Sequence, residues 1–189
     1  MGLDLDHAAD VVSRHLRALR LARPVVVGPG AQQPGTFTRA LLGALGTTAV
    51  VESATVTSRA EGFRLAEVLA ADAERYDAVV CTDDELALGA LAGLLRLGVQ
   101  VPRQIALCGC GGLEDGRFSW PSLTTLSFPL AEIARIALDD LQRRWEPGSH
   151  GGTMRPVGAT LVRRESTLGF SAAGPTALNP GPARQAGGR

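Results

Sequence analysis

Lysine is missing from all 189 residues, and the positive charge is carried by 19 arginines. Schiff-base catalysis and a Walker-type phosphate loop both need a lysine amine, so both are excluded. Cysteine is scarce too: Cys81, Cys108 and Cys110 are odd in number, and two stand one residue apart. That set builds no disulfide framework and fits a reduced, cytoplasmic setting. Net charge is also absent, 19 acidic residues balancing the 19 basic ones. Without a positive excess the chain lacks the footprint of an isolated nucleic-acid-binding domain, and direct DNA contact by this chain alone is not expected. No run approaches 18 consecutive apolar residues, and the start, MGLDLDHAAD, has no basic segment followed by an apolar one. The sequence reads as neither membrane-spanning nor carrying a visible export signal.

What is present is a 45% hydrophobic content, enough for a proper core at this length. Ala9, Val12, Leu16 and Leu19 recur at helical spacing over 6–21, ahead of the short apolar run PVVVGPG at 24–30. The same helix-then-strand pattern returns at 36–45 and 48–52, at 58–71 and 76–82, and at 84–97 and 104–109. Short continuous apolar strands between helices of ten to fifteen residues mark a mostly parallel sheet covered on both faces. The expected class is α/β, doubly wound. Beyond Gly112 the order changes to a polar turn, GLEDGRFSWPS, a strand at 123–127, a helix at 129–145, a Gly-rich turn at 147–152 and a closing strand at 159–166. Residues 167–189, rich in Gly, Pro and Ala without a period, read as a disordered tail.

Three segments together resemble the effector-binding, periplasmic-binding-protein-like domain of the LacI/GalR family of bacterial transcription regulators. TDDELALGALAGLLRLGVQVPRQIAL at 82–107 is similar to the family's strand end, helix, Gly-Val-x-Val-Pro turn and next strand. PSLTTL at 121–126 resembles its crossover strand and TLVRREST at 160–167 its closing strand, while LDLDHAADVVSRHLRALRLARPVVVGPG at 3–30 fits a helix leading into a strand. The resemblance implies that residues 1–166 form the effector-binding domain, with helices 6–21 and 129–145 packed in a partial second subdomain and most of the rest in the other. It also implies that a helix-turn-helix reader, a hinge helix and most of one subdomain would precede the point matching Met1.

By resemblance, a small effector lies in the cleft between subdomains, held at strand ends and crossovers. Asp4 matches an acidic ligand contact before the first helix, and equally suits a helix cap. Asp83 stands at a strand's carboxyl end, where a ligand can be hydrogen-bonded, whereas Asp84 reads as the helix start, favoured by the helix dipole. The family's Asp for sugar hydroxyls falls at Gly111, its ligand-clamping Arg at Phe37, and a frequent Gln at Phe128. Losing one charge-assisted acceptor of this kind costs roughly 1.5–3 kcal/mol of affinity. Two readings stand: a decayed pocket on a surviving dimerisation module, or a site for a flatter, less polar ligand walled by Phe37 and Phe128. Cys108 and Cys110 point to one face of a strand, but His7, His15 and His150 have no ligand-like spacing, so a metal is not expected. The GCGG run at 109–112 lacks the following helix and lysine of a phosphate cradle. Phe118 and Trp120 are either part of a subunit interface, as the resemblance implies, or partly buried loop aromatics.

The function this supports is a non-enzymatic effector-binding and dimerisation domain of a LacI-like regulator without its own DNA reader, with altered or lost sugar specificity. No cofactor is implied, and the partners expected are a small effector and a second subunit, as a homodimer or with a paralogue. The alternatives are a stand-alone sugar-binding protein, against which the missing export signal argues, and an α/β enzyme, for which no nucleophile with a base is visible.

Overall fold

The computed structural model describes residues 2–29, 35–46, 50–54, 56–144 and 156–169. In chain order the elements are β1 (Gly2–Leu3), α1 (Leu5–Ala18), β2 (Pro24–Pro29), α2 (Thr36–Leu45), β3 (Val50–Ala54), α3 (Arg59–Ala71), β4 (Ala78–Cys81), α4 (Asp84–Arg96), β5 (Ala106–Cys110), α5 (Asp115–Phe118), β6 (Thr124–Ser127), α6 (Leu130–Arg144), β7 (Pro156–Val157) and β8 (Thr160–Val162). Six strands form one sheet in the order β3-β2-β4-β5-β6-β8, parallel except for β8 against β6, and β1 pairs with β7 apart from it.

The continuous apolar strands are divided by the pleat. Val25 and Val27, Val79 and Cys81, and Leu107 enter one core with Leu65 and Leu69 of α3 and Leu86, Leu91 and Leu94 of α4. Their neighbours Val26, Val80, Ala106, Cys108 and Cys110 enter the other, with Ala8, Ala9, Val12 and Leu16 of α1 and Leu41 of α2. Side chains alternate along a strand, so a run of valines is buried only when helices cover both faces.

This corrects the placement of α1. Its apolar stripe lies on the main sheet beside α2, and it shares its core with the strands, not with α6. Helix α6 contributes to neither core: Ile136 is buried, but Leu130, Leu138 and Leu141 are 68%, 61% and 59% exposed. The polar turn after Gly112 holds a one-turn helix, α5. The closing strand is shorter than expected, and after it the chain turns inward. Ser166 Oγ donates to Leu107 O at 2.6 Å and accepts from Thr124 N at 2.8 Å, and Leu107 N donates to Ser166 O at 2.8 Å. Ser166 and Thr167 are fully buried, so the disorder expected from 167 does not hold at Thr167. Residues 170–189, the turn at 147–152, and His150 lie outside the described residues.

Helices α3 and α4 meet backbone to backbone. A Cβ on Gly89 would stand 2.0 Å from the Arg59 carbonyl oxygen, and one on Gly62 would stand 2.1 Å from that of Leu86. Neither obstacle is a flexible side chain, so the helices would have to separate. Gly89→Ala is therefore expected to lower unfolding free energy by about 1–3 kcal/mol, although alanine favours helix intrinsically. Urea denaturation of the two proteins measures this, and an unchanged or raised midpoint would show the contact to be loose.

Candidate functional site

In a doubly wound sheet, ligands meet the carboxyl ends of the parallel strands. Among the described residues that edge is formed by the start of α2 and the segments following β4, β5 and β6, together with the start of α1. All five candidate residues sit along it. Asp4 is joined to β7 by its backbone N–H, 3.0 Å from Val157 O, and its carboxylate accepts from His7 N at 2.9 Å. Asp83 caps α4, accepting from Glu85 N at 2.7 Å. Each is half-buried and commits Oδ1 to a helix amide, which leaves Oδ2 without a hydrogen bond among the described residues. Phe37, in the first turn of α2, and Phe128, just after β6, are half-buried and pack on the same core as Leu126 and Cys110. Gly111 is exposed at the tip of β5.

The residue that organises this edge is one the sequence reading set aside. Asp84 was expected to start and cap α4. It is the first helical residue, but its carboxylate turns inward and is fully buried, and the capping falls to Asp83. Asp84 Oδ1 accepts from Thr125 Oγ1 at 2.7 Å, and Oδ2 accepts from Leu113 N at 2.7 Å. Thr125 Oγ1 in turn accepts from Gly112 N at 3.2 Å. One carboxylate thus ties the start of α4 to β6 and to the loop leaving β5. The bare Gly run follows from it. A Cβ on Gly109 would lie 2.1 Å from Asp84 Oδ1, while Gly111 and Gly112 have φ of +139° and +73°, where side chains are disfavoured. Beyond the loop, Arg59 of α3 pairs with Glu85 at 2.7 Å and also holds Asp115 of α5. An Asp buried beneath three glycines carries no periodicity that marks it, and its clue was the glycines themselves.

Burial pushes the Asp84 carboxyl above the usual carboxylate range, although the Thr125 and Leu113 hydrogen bonds pull it back. Burial likewise raises all three thiols, Cys110 to about 12, with Asp84 and Asp83 adding to the effect there. Cys108 and Cys110 do face one side, with Cys81 on the other. Thiols held protonated are poor nucleophiles and poor ligands. Among the described residues no group of three His, Cys, Asp or Glu side chains is placed to hold a metal ion.

Phe118 and Trp120 lie elsewhere. They are 76% and 80% exposed, which removes the reading of Trp120 and Phe118 as partly buried loop aromatics. Trp120 borders a cavity of about 520 Å³ with Val99, Val101, Pro102, Pro121 and Leu168, at the amino ends of β5 and β6. The cavity is therefore at the opposite end of the sheet from the candidate site.

The architecture is that of a doubly wound α/β domain whose strand carboxyl ends form one open edge. The periplasmic binding protein-like domain model matches residues 13–167, and the chain belongs to that family. It is 28% identical over 149 residues to the HTH-type transcriptional repressor PurR of Pectobacterium atrosepticum, covering 73% of this chain and 43% of that protein. A LacI-family transcriptional regulator from Sanguibacter keddieii has a similar structure, with TM-score 0.74, 32% identity, and coverage of 88% of this chain and 66% of that one. The fold also matches that of a LacI-family regulator from Arthrobacter sp. FB24 in complex with lactose, with TM-score 0.78, 24% identity and 87% and 64% coverage. The chain spans less than half the length of the curated repressor, and the part it matches is the effector-binding domain. These relatives are transcription regulators.

Asp84 gives the site a pH signature. A carboxyl whose folded pKa exceeds its unfolded value binds its proton more tightly in the folded state, so its contribution is full below the unfolded value and is lost as pH rises through the folded one. Asp84→Asn, which cannot titrate, is expected to be less stable than the parent at pH 4, with the gap narrowing on the way to pH 7. Chemical denaturation across that range checks it, and a widening gap would mean the ionised form is the one the fold prefers.

Proposed function

We propose that the chain forms the effector-binding and dimerisation part of a LacI-like transcription regulator, without catalytic activity, and that its cleft takes a flatter and less polar ligand than a sugar. The observation that carries the ligand reading is the composition of the strand-end edge. Of five positions placed there by resemblance, two are half-buried phenylalanines on one core, one is a glycine, and two are aspartates that each spend an oxygen on a helix cap. Sugar recognition needs several convergent polar groups, whereas two aromatic faces and two carboxylate oxygens without a hydrogen bond among the described residues suit a planar group carrying N–H or hydroxyl donors. The fixed charge at Asp83 disfavours anionic ligands. Thermal denaturation with millimolar ribose, lactose or a planar heterocycle such as adenine tests this. A ligand at a hundred times its Kd adds about 2.7 kcal/mol, a shift of several degrees at this size. The heterocycle should raise Tm and lose that effect in Phe37→Ala, and the sugars should not. A clear shift with either sugar would overturn the altered-cleft reading.

Dimerisation is supported by Phe118 and Trp120, two large aromatics left in water, of which Trp120 borders a largely apolar cavity. Aromatic side chains are enriched at interfaces, and apolar patches of this kind mark contact surfaces. The second subunit is another copy or a paralogue. Sedimentation analysis should find dimers for the parent chain and monomers for Trp120→Asp at equal concentration. Monomers in both would remove this face as the subunit contact.

A further inference from the structure

On the outer side of α1, away from the strand carboxyl ends, lies a groove of about 360 Å³ between that helix and the end of β8. Val11, Arg14, His15 and Ala18 line it from one face of α1, and Leu161 and Arg163 line it from the strand. Of these, Arg14 pairs with Asp10 at 3.0 Å. Arg163 is exposed and makes no ion pair or hydrogen bond among the described residues. His15 is 8% exposed. Its Nε2 is 2.9 Å from Thr167 Oγ1, which is 2.8 Å from Thr124 Oγ1, and Thr124 donates to Arg164 O at 3.0 Å. Once the ring is protonated both nitrogens are donors: Nε2–H goes to Thr167 Oγ1, and Nδ1–H is left for another acceptor. Nδ1 has no hydrogen-bond partner among the described residues, and since none of their buried side-chain nitrogens or oxygens is left unsatisfied, it is not sealed from solvent; His15 is one of the residues that line the groove.

We infer that this groove is a binding site for a small oxyanion, a phosphoryl, sulfuryl or carboxyl group, which it takes up together with one proton. Arg163 supplies an unpaired guanidinium, whose fork geometry fits oxyanions. His15 supplies a second donor at Nδ1 once protonated, and Val11, Ala18 and Leu161 supply an apolar floor. Burial and Arg163 hold the His15 pKa below its ordinary value in the empty site. An anion on Arg163 cancels the repulsive part and accepts the Nδ1 proton. The other charges near the ring are settled: Arg14 on Asp10, Arg17 on Ala44 O, and Arg164 on Leu123 O. Binding should therefore tighten as pH falls through the pKa of the occupied site, by up to about tenfold per pH unit, the limit for one proton. The site stands apart from the proposed effector cleft, and its failure would leave that reading untouched.

The test uses sulfate, which does not titrate between pH 6 and 8, at ionic strength held constant with chloride. Imidazole NMR resonances are assigned with His15→Gln, and exposed His7 serves as the control. Sulfate should shift the His15 resonances saturably, with lower Kd at pH 6 than at pH 8, and should raise the His15 pKa. Arg163→Gln should abolish saturation and raise the His15 pKa without sulfate. The proposal is overturned if sulfate moves His15 no more than His7, if Kd is the same at both pH values, or if Arg163→Gln binds like the parent.

Discussion

The Asp84 carboxylate is the constraint on which the ligand-facing edge depends. It is a fully buried acid with no cationic partner among the described residues, and its desolvation is offset by Thr125 Oγ1–H and Leu113 N–H. A buried charge is tolerable when its lone pairs are satisfied, and removing a donor leaves the full penalty exposed. The arrangement therefore fixes three elements that are distant in sequence: α4 begins where Asp84 can reach inward, β6 presents Thr125 on that side, and β5 ends in glycines because any side chain at Gly109 would occupy the carboxylate's place.

That geometry gives a physical reason for the poverty of the site. A loop folded tightly over a buried acid has room for backbone only, so the residues that offer contacts stand at its margins. Asp4 and Asp83 begin helices there, and Phe37 and Phe128 seal one core there. Each aspartate spends one oxygen on a helix end and leaves the other without a hydrogen bond among the described residues. Their positions are set by the helices they cap, independently of any ligand.

The elements were legible in the sequence because period and length are local properties. The helix at Thr36–Leu45 and the strands around PVVV, AVVC and ALCGC follow directly from apolar runs bounded by Gly, Pro and polar residues. What the sequence hid was which surface each helix meets. The stripe of Ala8, Ala9, Val12 and Leu16 declares an apolar face but does not name its partner, and α1 went to the main sheet instead of to α6. Asp83 and Asp84 were hidden for a similar reason. Two adjacent acids before a helix are alike in composition, and only the position of β6 decides which one turns inward. The Arg59 bridge to Glu85 and Asp115 was illegible in the same way, since it joins residues 26 and 56 positions apart.

The closing segment also sets an order in time. Ser166 and Thr167 are stitched between β5 and β6, and β8 runs back along β6 as the only antiparallel member of the main sheet among the described residues. Until those residues are in place, Leu107 N–H and O and Thr124 N–H lack the partners that Ser166 gives them in the finished domain. The parallel strands can assemble as they emerge, each pairing with a strand made before it, but the side of β6 that β8 covers stays open until β8 and Ser166 have been made. The order of synthesis thus differs from the order of the sheet: the five parallel strands can pair as they are made, and the antiparallel strand that covers β6 comes last among the described strands.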